Sequence, residues 1–115
     1  MKKSINVDTV VNTKNHRDIV NTVAPALVNY SKTVLFGEVW ERPGLNKRDR
    51  SMITVAALIA MGKSEQLKGH LRRALSNDVT EDEIGEIVTH LAFYCGWPSA
   101  MTAGVIAHEV FDENK

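Results

Sequence analysis

The chain has a single cysteine and no net charge, and each shortage excludes a class of protein. One thiol, Cys95, cannot close an internal disulfide, which excludes a disulfide-stapled secreted fold. Fourteen basic residues balance fourteen acidic ones, so the chain has no overall field to hold nucleic acid or an anionic membrane surface. We therefore expect neither nucleic acid nor a membrane as a partner.

Long apolar segments are missing as well. The longest apolar run extends from Val55 to Met61, far short of the roughly 20 residues that a membrane-spanning helix needs. The N-terminus begins with basic residues but has no apolar stretch behind them, which is unlike a secretory signal. The sequence predicts a cytoplasmic protein.

Helical periodicity is what the sequence has in abundance. A length of 115 residues predicts one domain over positions 1–115, of which the polar residues 1–14 are expected to be loosely ordered. Asn46 is a good N-cap, Gly62 a good helix end, and Thr80 with Glu83 forms a capping box. No segment alternates convincingly enough to be a strand. We predict an all-α fold, a compact bundle of about six helices.

The expected helices follow the spacing of apolar residues and the positions of proline and glycine. The helix over about 46–61 is apolar on almost every side, which predicts a buried central helix. The others are expected at about 15–24, 25–36, 64–76, 81–95 and 99–111.

His70 is the residue best suited to chemistry near neutral pH. On its helix it borders the apolar stripe that contains Leu67 and Leu71, and Gln66 and Arg73 are near neighbours on the same side. A border histidine can reach a cavity as a proton donor or oxyanion stabiliser. It can also be a half-buried surface histidine, which is the interpretation that spacing alone favours, and both stay open.

Metal and thiol chemistry have little support. No two histidines have ligand spacing on one helix and no Cys/His cluster exists, so we expect no metal site. Cys95 lies on the apolar face of its predicted helix, which predicts an inert thiol.

Several short segments, taken in order, resemble the carboxymuconolactone decarboxylase family of the alkylhydroperoxidase-like superfamily. They cover roughly positions 34–111 and are fairly specific in this order and spacing. The matching segments are Phe36-Gly37-Glu38-Val39-Trp40, Arg42-Pro43-Gly44-Leu45, Arg48-Asp49-Arg50-Ser51, Glu65-Gln66-Leu67-Lys68-Gly69-His70, Ala74-Leu75-Ser76-Asn77-Asp78-Val79-Thr80, Glu83-Ile84 and Tyr94-Cys95-Gly96-Trp97-Pro98-Ser99-Ala100.

The resemblance implies an alkylhydroperoxidase-like helical fold and a ring-like homo-oligomer, commonly a homotrimer or homohexamer. The redox branch of the superfamily carries Cys-x-x-Cys with three residues between its second cysteine and the histidine, and here the two cysteine positions hold Lys63 and Gln66. A glutamate of the same relay falls at Ser51. This chain therefore lacks the two cysteine thiols that dithiol peroxidase chemistry requires.

The other branch is decarboxylase-like and acts on a carboxylated muconolactone in aromatic-compound breakdown. The resemblance implies a carboxy-lyase that requires neither a metal nor an organic cofactor. We expect His70 and Gln66 to be catalytic, and Arg50, Arg73 and Trp40 to bind a small carboxylate or lactone substrate. The family favours glycine after Asn77, where this chain has Asp78.

Two alternatives stay open at this point. One is a peroxidase or peroxiredoxin-type antioxidant activity that uses Cys95 with an external thiol. The other is a non-catalytic oligomeric protein that binds a small acid.

Overall fold

A computed structural model describes residues 16–113 and 115, which are nearly all helical. The N-terminal segment predicted to be loosely ordered, about residues 1–14, lies outside the described residues. The chain divides into two compact units, one ending at Arg42 and the other beginning at Pro43, and each is described by itself. The single domain expected over 1–115 stays a prediction.

The first unit contains helices α1 (His16–Val23) and α2 (Pro25–Tyr30), followed by a π-helix (Ser31–Val39). Pro25 occupies the first turn of α2, as expected from its missing N–H. The sequence predicted one helix ending near residue 36. The structure instead changes to π-helical pairing at Ser31 and continues three residues further.

The second unit contains helices α3 (Lys47–Met61), α4 (Ser64–Ser76), α5 (Glu81–Cys95) and α6 (Trp97–Asp112). The predicted end signals are confirmed. The Asn46 side chain accepts the Asp49 N–H at 2.8 Å, Gly62 adopts φ 69°, and Thr80 and Glu83 form both bonds of the capping box. Helix α6 begins at Trp97, two residues earlier than expected, because Pro98 fits the first turn.

The core of this unit lies among its four helices, and α3 contacts α4, α5 and α6. Its buried members are contributed by all four helices and by the loop before α5: Val55, Ile59, Leu67, Leu71, Ala74, Val79, Ile84, Ala103, Ile106, Ala107 and Val110.

Helix α3 is central but is not buried on every side, which corrects the sequence expectation. Ser51, Val55 and Ile59 form its buried stripe. Ile53 and Met61, on the other side, are 55% and 59% exposed. Although α3 has apolar side chains on almost every side, only one of its sides is therefore buried within a single chain.

Helices α3 and α4 form an antiparallel hairpin that is fixed at both ends. At the tight turn, the Lys63 N–H donates to the Leu58 carbonyl oxygen at 2.9 Å. At the open end, Asn77 Nδ2 donates to Oγ of the buried Ser51 at 2.9 Å. Asp78 adopts φ 74°, a left-handed conformation that aspartate tolerates and glycine adopts freely.

Arg48 joins the start of α3 to the start of α5. Its Nε donates to the Asp78 carbonyl oxygen at 3.3 Å, and its Nη2 donates to the Glu83 carboxylate. This ion pair raises the pKa of Arg48 and lowers the pKa of Glu83.

The all-α prediction is confirmed. Within residues 16–113 every regular element is a helix. In that same part of the chain, no helix is long and apolar enough to cross a bilayer.

We predict that Gly37→Ala destabilises the protein. A Cβ at position 37 would lie 2.9 Å from the Lys32 carbonyl oxygen, a backbone atom that cannot move aside cheaply. We expect a loss of about 1 kcal/mol or more in the free energy of unfolding, measured by urea denaturation.

Gly85→Ala is the matched control, because position 85 lies inside α5 with no atom within 4 Å of the added Cβ. It should raise stability by about 0.5–1 kcal/mol, the ordinary gain of alanine over glycine in a helix. Equal effects of both substitutions would contradict a steric requirement for glycine in the π-helix.

Candidate functional site

His70 lies on α4 one turn after Leu67 and is half-buried. Its Nδ1 atom is shielded from solvent. Burial lowers the pKa of the imidazole below its ordinary value of 6.5, and the positive charge of Arg73 lowers the pKa further. At neutral pH the ring is therefore mainly neutral, with one N–H donor and one nitrogen acceptor.

Gln66 and Arg73 share the side of α4 that carries His70. They lie four residues before and three residues after it, so the three side chains follow one another along the helix surface. Gln66 and Arg73 are both exposed. The positive charge of Arg73 acts on the imidazole of His70 and contributes to its lowered pKa. Of the predicted site residues, the structure brings these three together.

Arg50 lies at the other end of the hairpin. It is half-buried in the first turn of α3 with its Nε shielded from solvent. Its neighbour Ser51 is level with Asn77, seven residues beyond His70, which corresponds to about 10 Å along the helix axis. Contact between the Arg50 guanidinium and a substrate at His70 stays a prediction.

Trp40 belongs to the first unit, where it directly follows the π-helix. Its side chain is buried at 6% exposure, and its ring centroid lies 5.8 Å from that of Phe36. The Arg17 guanidinium lies 6.0 Å from the centroid of the Phe36 ring. These contacts pack Trp40 within the first unit, and substrate binding by Trp40 stays a prediction.

The three positions of the redox relay hold groups without redox chemistry. Lys63 precedes α4, Gln66 is exposed in its first turn, and Ser51 is buried and hydrogen-bonded to Asn77. Cys95 is half-buried at the end of α5, with its thiol donating to the Leu91 carbonyl oxygen at 3.1 Å. No group of three or more His, Cys, Asp or Glu side chains that could hold a metal occurs in the described residues.

A pocket that the sequence analysis missed lies where the α3–α4 turn meets the start of α6. Its volume is about 240 Å³. Polar and apolar groups share its lining: Leu58, Ile59, Gly62, Lys63, Ser64, Leu67, Pro98, Ser99, Thr102 and Ala103. In the sequence, the one residue that pointed to this pocket is Lys63. Its lack of a thiol bears on redox chemistry, whereas its positive charge bears on this pocket.

Residues 25–109 match the model of the carboxymuconolactone decarboxylase family. The chain belongs to this family. The membership agrees with the resemblance that the segment Glu65–His70 and the other matching segments had indicated.

Two proteins that are similar in sequence to this chain are named as decarboxylases. The chain is 41% identical over 85 residues to 4-carboxymuconolactone decarboxylase of Acinetobacter baylyi, covering 74% of this chain and 63% of that protein. It is 40% identical over 78 residues to nitrosuccinic acid decarboxylase npaB of Metarhizium robertsii, covering 68% of this chain and 54% of that protein. The matched segment thus spans less than two-thirds of each relative.

A third relative has no assigned activity. It is an uncharacterized 15.0 kDa protein of Paracoccus denitrificans, encoded in the nqo9-nqo10 intergenic region. It is 31% identical to this chain over 80 residues, covering 68% of this chain and 60% of that protein.

We predict that Arg73→Gln raises the pKa of His70, because the substitution removes a neighbouring positive charge and leaves burial in place. NMR titration of the imidazole measures this directly. Arg72→Gln is the control, since Arg72 pairs with Glu113 through bonds of 2.8 and 2.7 Å and does not contribute to the shift. An unchanged pKa in Arg73→Gln would contradict the electrostatic coupling.

The sign of the shift also fixes the effect of His70 on stability. Because its pKa is lower in the folded chain, the unfolded chain binds the proton first as the pH falls. This histidine therefore reduces stability below about pH 6.5, and above that pH it has no such effect.

Proposed function

We propose that this protein is a cofactor-free carboxy-lyase that removes CO₂ from a small organic acid in the cytoplasm. One observation carries the proposal: His70 is half-buried, mainly neutral at pH 7, and followed by Arg73 along one side of α4. Lys63 and Gln66, at the places of a redox cysteine pair, favour this activity over a dithiol peroxidase.

Decarboxylation leaves an electron pair that must be accommodated and a carbon that must be protonated. As the bond to CO₂ breaks, its electrons move through a conjugated system onto a carbonyl oxygen. The neutral His70 ring can donate its N–H to this developing oxyanion. The lowered pKa also makes any imidazolium a readier proton donor to carbon. The exposed Arg73 is suited to a substrate carboxylate.

The substrate class follows from the chemistry and from the names of two relatives. Both names, 4-carboxymuconolactone decarboxylase and nitrosuccinic acid decarboxylase, describe the decarboxylation of a small acid. We propose 4-carboxymuconolactone, an intermediate of aromatic-compound breakdown, as the first substrate to test. Nitrosuccinic acid is the second.

We also propose that the chain forms a homotrimer or homohexamer. Large apolar side chains are exposed near the junction of α5 and α6: Phe93, Tyr94, Trp97, Met101 and Val105 are each between 57% and 77% exposed. The Phe93 and Trp97 rings pack edge to face with their centroids 5.4 Å apart, which joins these two side chains in one apolar surface. Such a surface is typical of protein–protein interfaces.

We predict that the protein releases CO₂ from 4-carboxymuconolactone and that His70→Ala lowers kcat by about 100-fold or more, since it removes the proposed donor. Stopped-assay CO₂ measurement gives the rate. His108→Ala is the control, because that side chain is 79% exposed on α6. No turnover of either proposed acid, or equal turnover in His70→Ala, would overturn the proposed function.

We predict a solution mass of three or six times the 12.8 kDa of one chain, measured by light scattering after size-exclusion chromatography. Phe93→Ser should shift the mass towards the monomer, because it interrupts the apolar surface. Thr89→Ala, one turn earlier on α5 and exposed, should leave the mass unchanged. A monomeric wild-type protein would contradict the assembly.

A further inference from the structure

The pocket at the α3–α4 turn contains a concentration of hydroxyl groups with no partner in the described protein. Eleven serine and threonine residues lie within residues 16–113. Eight of these side chains make hydrogen bonds to the protein: Thr22, Ser31, Thr33, Ser51, Thr54, Ser76, Thr80 and Thr89. The other three, Ser64, Ser99 and Thr102, have no such bond in that part of the chain, and all three line this pocket.

Among the described residues that line the pocket, the only charged one is Lys63, a cation. Its ammonium group makes no ion pair with the described residues, whereas Lys68 on the same hairpin pairs with Glu109 at 3.5 Å. Glu65 lies in the first turn of α4 but does not line the pocket. The net charge presented to a ligand in this pocket is therefore positive.

The backbone adds hydrogen-bond donors of the same kind. Helices α4 and α6 both begin beside the pocket, and neither has a side-chain cap on its N-terminal N–H groups. Uncapped first-turn N–H groups carry partial positive charge. These N–H groups add to the positive potential that Lys63 and the three hydroxyl groups present to a ligand.

The remaining lining is apolar and limits the ligand. Leu58, Ile59, Leu67, Pro98 and Ala103 face the same space of about 240 Å³. One lysine and three hydroxyl groups match the single charge and the acceptor oxygens of a carboxylate. The apolar side chains can pack against the short carbon skeleton to which the carboxylate is attached.

We propose that this pocket is a binding site for the carboxylate of a small organic acid, with Lys63 as its cation and Ser64, Ser99 and Thr102 as hydrogen-bond donors. The site is distinct from His70, which does not line the pocket and lies seven residues, about 10 Å along the axis, from Lys63. It does not depend on the proposed decarboxylation, since binding requires no reaction.

Isothermal titration calorimetry with succinate tests the site. The wild-type protein should bind succinate, and Lys63→Gln should weaken binding about 10-fold or more, the effect of losing one charge-assisted bond. A double variant with Ser99→Ala and Thr102→Val should also weaken it. Lys68→Gln is the matched control and should bind as the wild type does, because Lys68 does not line the pocket.

Two further ligands test the chemical class. Succinamide, which has nearly the same shape and no charge, should not bind. Inorganic phosphate should bind more weakly than succinate. No succinate binding, equal binding by Lys63→Gln, or tighter binding of phosphate would overturn the carboxylate site.

His70→Ala separates this inference from the proposed function. The variant should lose turnover and keep its affinity for succinate. Retained binding in a protein without any decarboxylase activity would overturn only the function. Loss of succinate binding in His70→Ala, with Lys63→Gln unaffected, would assign the bound acid to His70 and overturn the pocket.

Discussion

The antiparallel pairing of α3 with α4 is the constraint on which the rest of the second unit depends. The Gly62 turn fixes one end of the hairpin, and the bond from Asn77 to the buried Ser51 fixes the other. Within these limits, Val55 and Ile59 meet the apolar stripe of α4 in the core. The same pairing holds His70 at the border of that core, and it is this partial burial that lowers the pKa of the ring.

Lys63 and Gln66 decide what one end of α4 can do. A cysteine pair at these positions, which the resemblance to the redox branch would place there, would present redox groups at the start of this helix. Here Lys63 brings a positive charge to a pocket with three hydroxyl groups, and Gln66 brings an uncharged amide to the side of His70. These two residues offer no thiol for electron transfer, and both can interact with anions. The proposed lyase activity and the proposed carboxylate site use them in two separate ways.

The sequence predicted the helices of the second unit well because their end signals are local. Asn46, Gly62, Thr80 and Glu83 act within one turn of their own backbone, so no tertiary information was needed. The first unit was predicted less well. The change from α- to π-helical pairing at Ser31 has no strong local signal, and only Gly37, whose added Cβ would meet the Lys32 carbonyl, gives it a steric reason. The glycine that the resemblance implies after Asn77 would suit this position, since Asp78 has a left-handed backbone.

The sequence by itself determined the all-α class, the family, and the presence of Lys63 and Gln66, rather than cysteines, ahead of His70. These properties depend on residue identity and on spacing along one chain. Only the tertiary structure decided that α3 is buried on one side. It also decided that the backbone of Arg50 lies about 10 Å along the hairpin from the level of His70. Finally, it decided that Ser64, Ser99 and Thr102 line a common pocket with Lys63. Residues from separate helices meet in that pocket, and their meeting is set by the packing of α6 against the α3–α4 hairpin, which no spacing along the chain encodes.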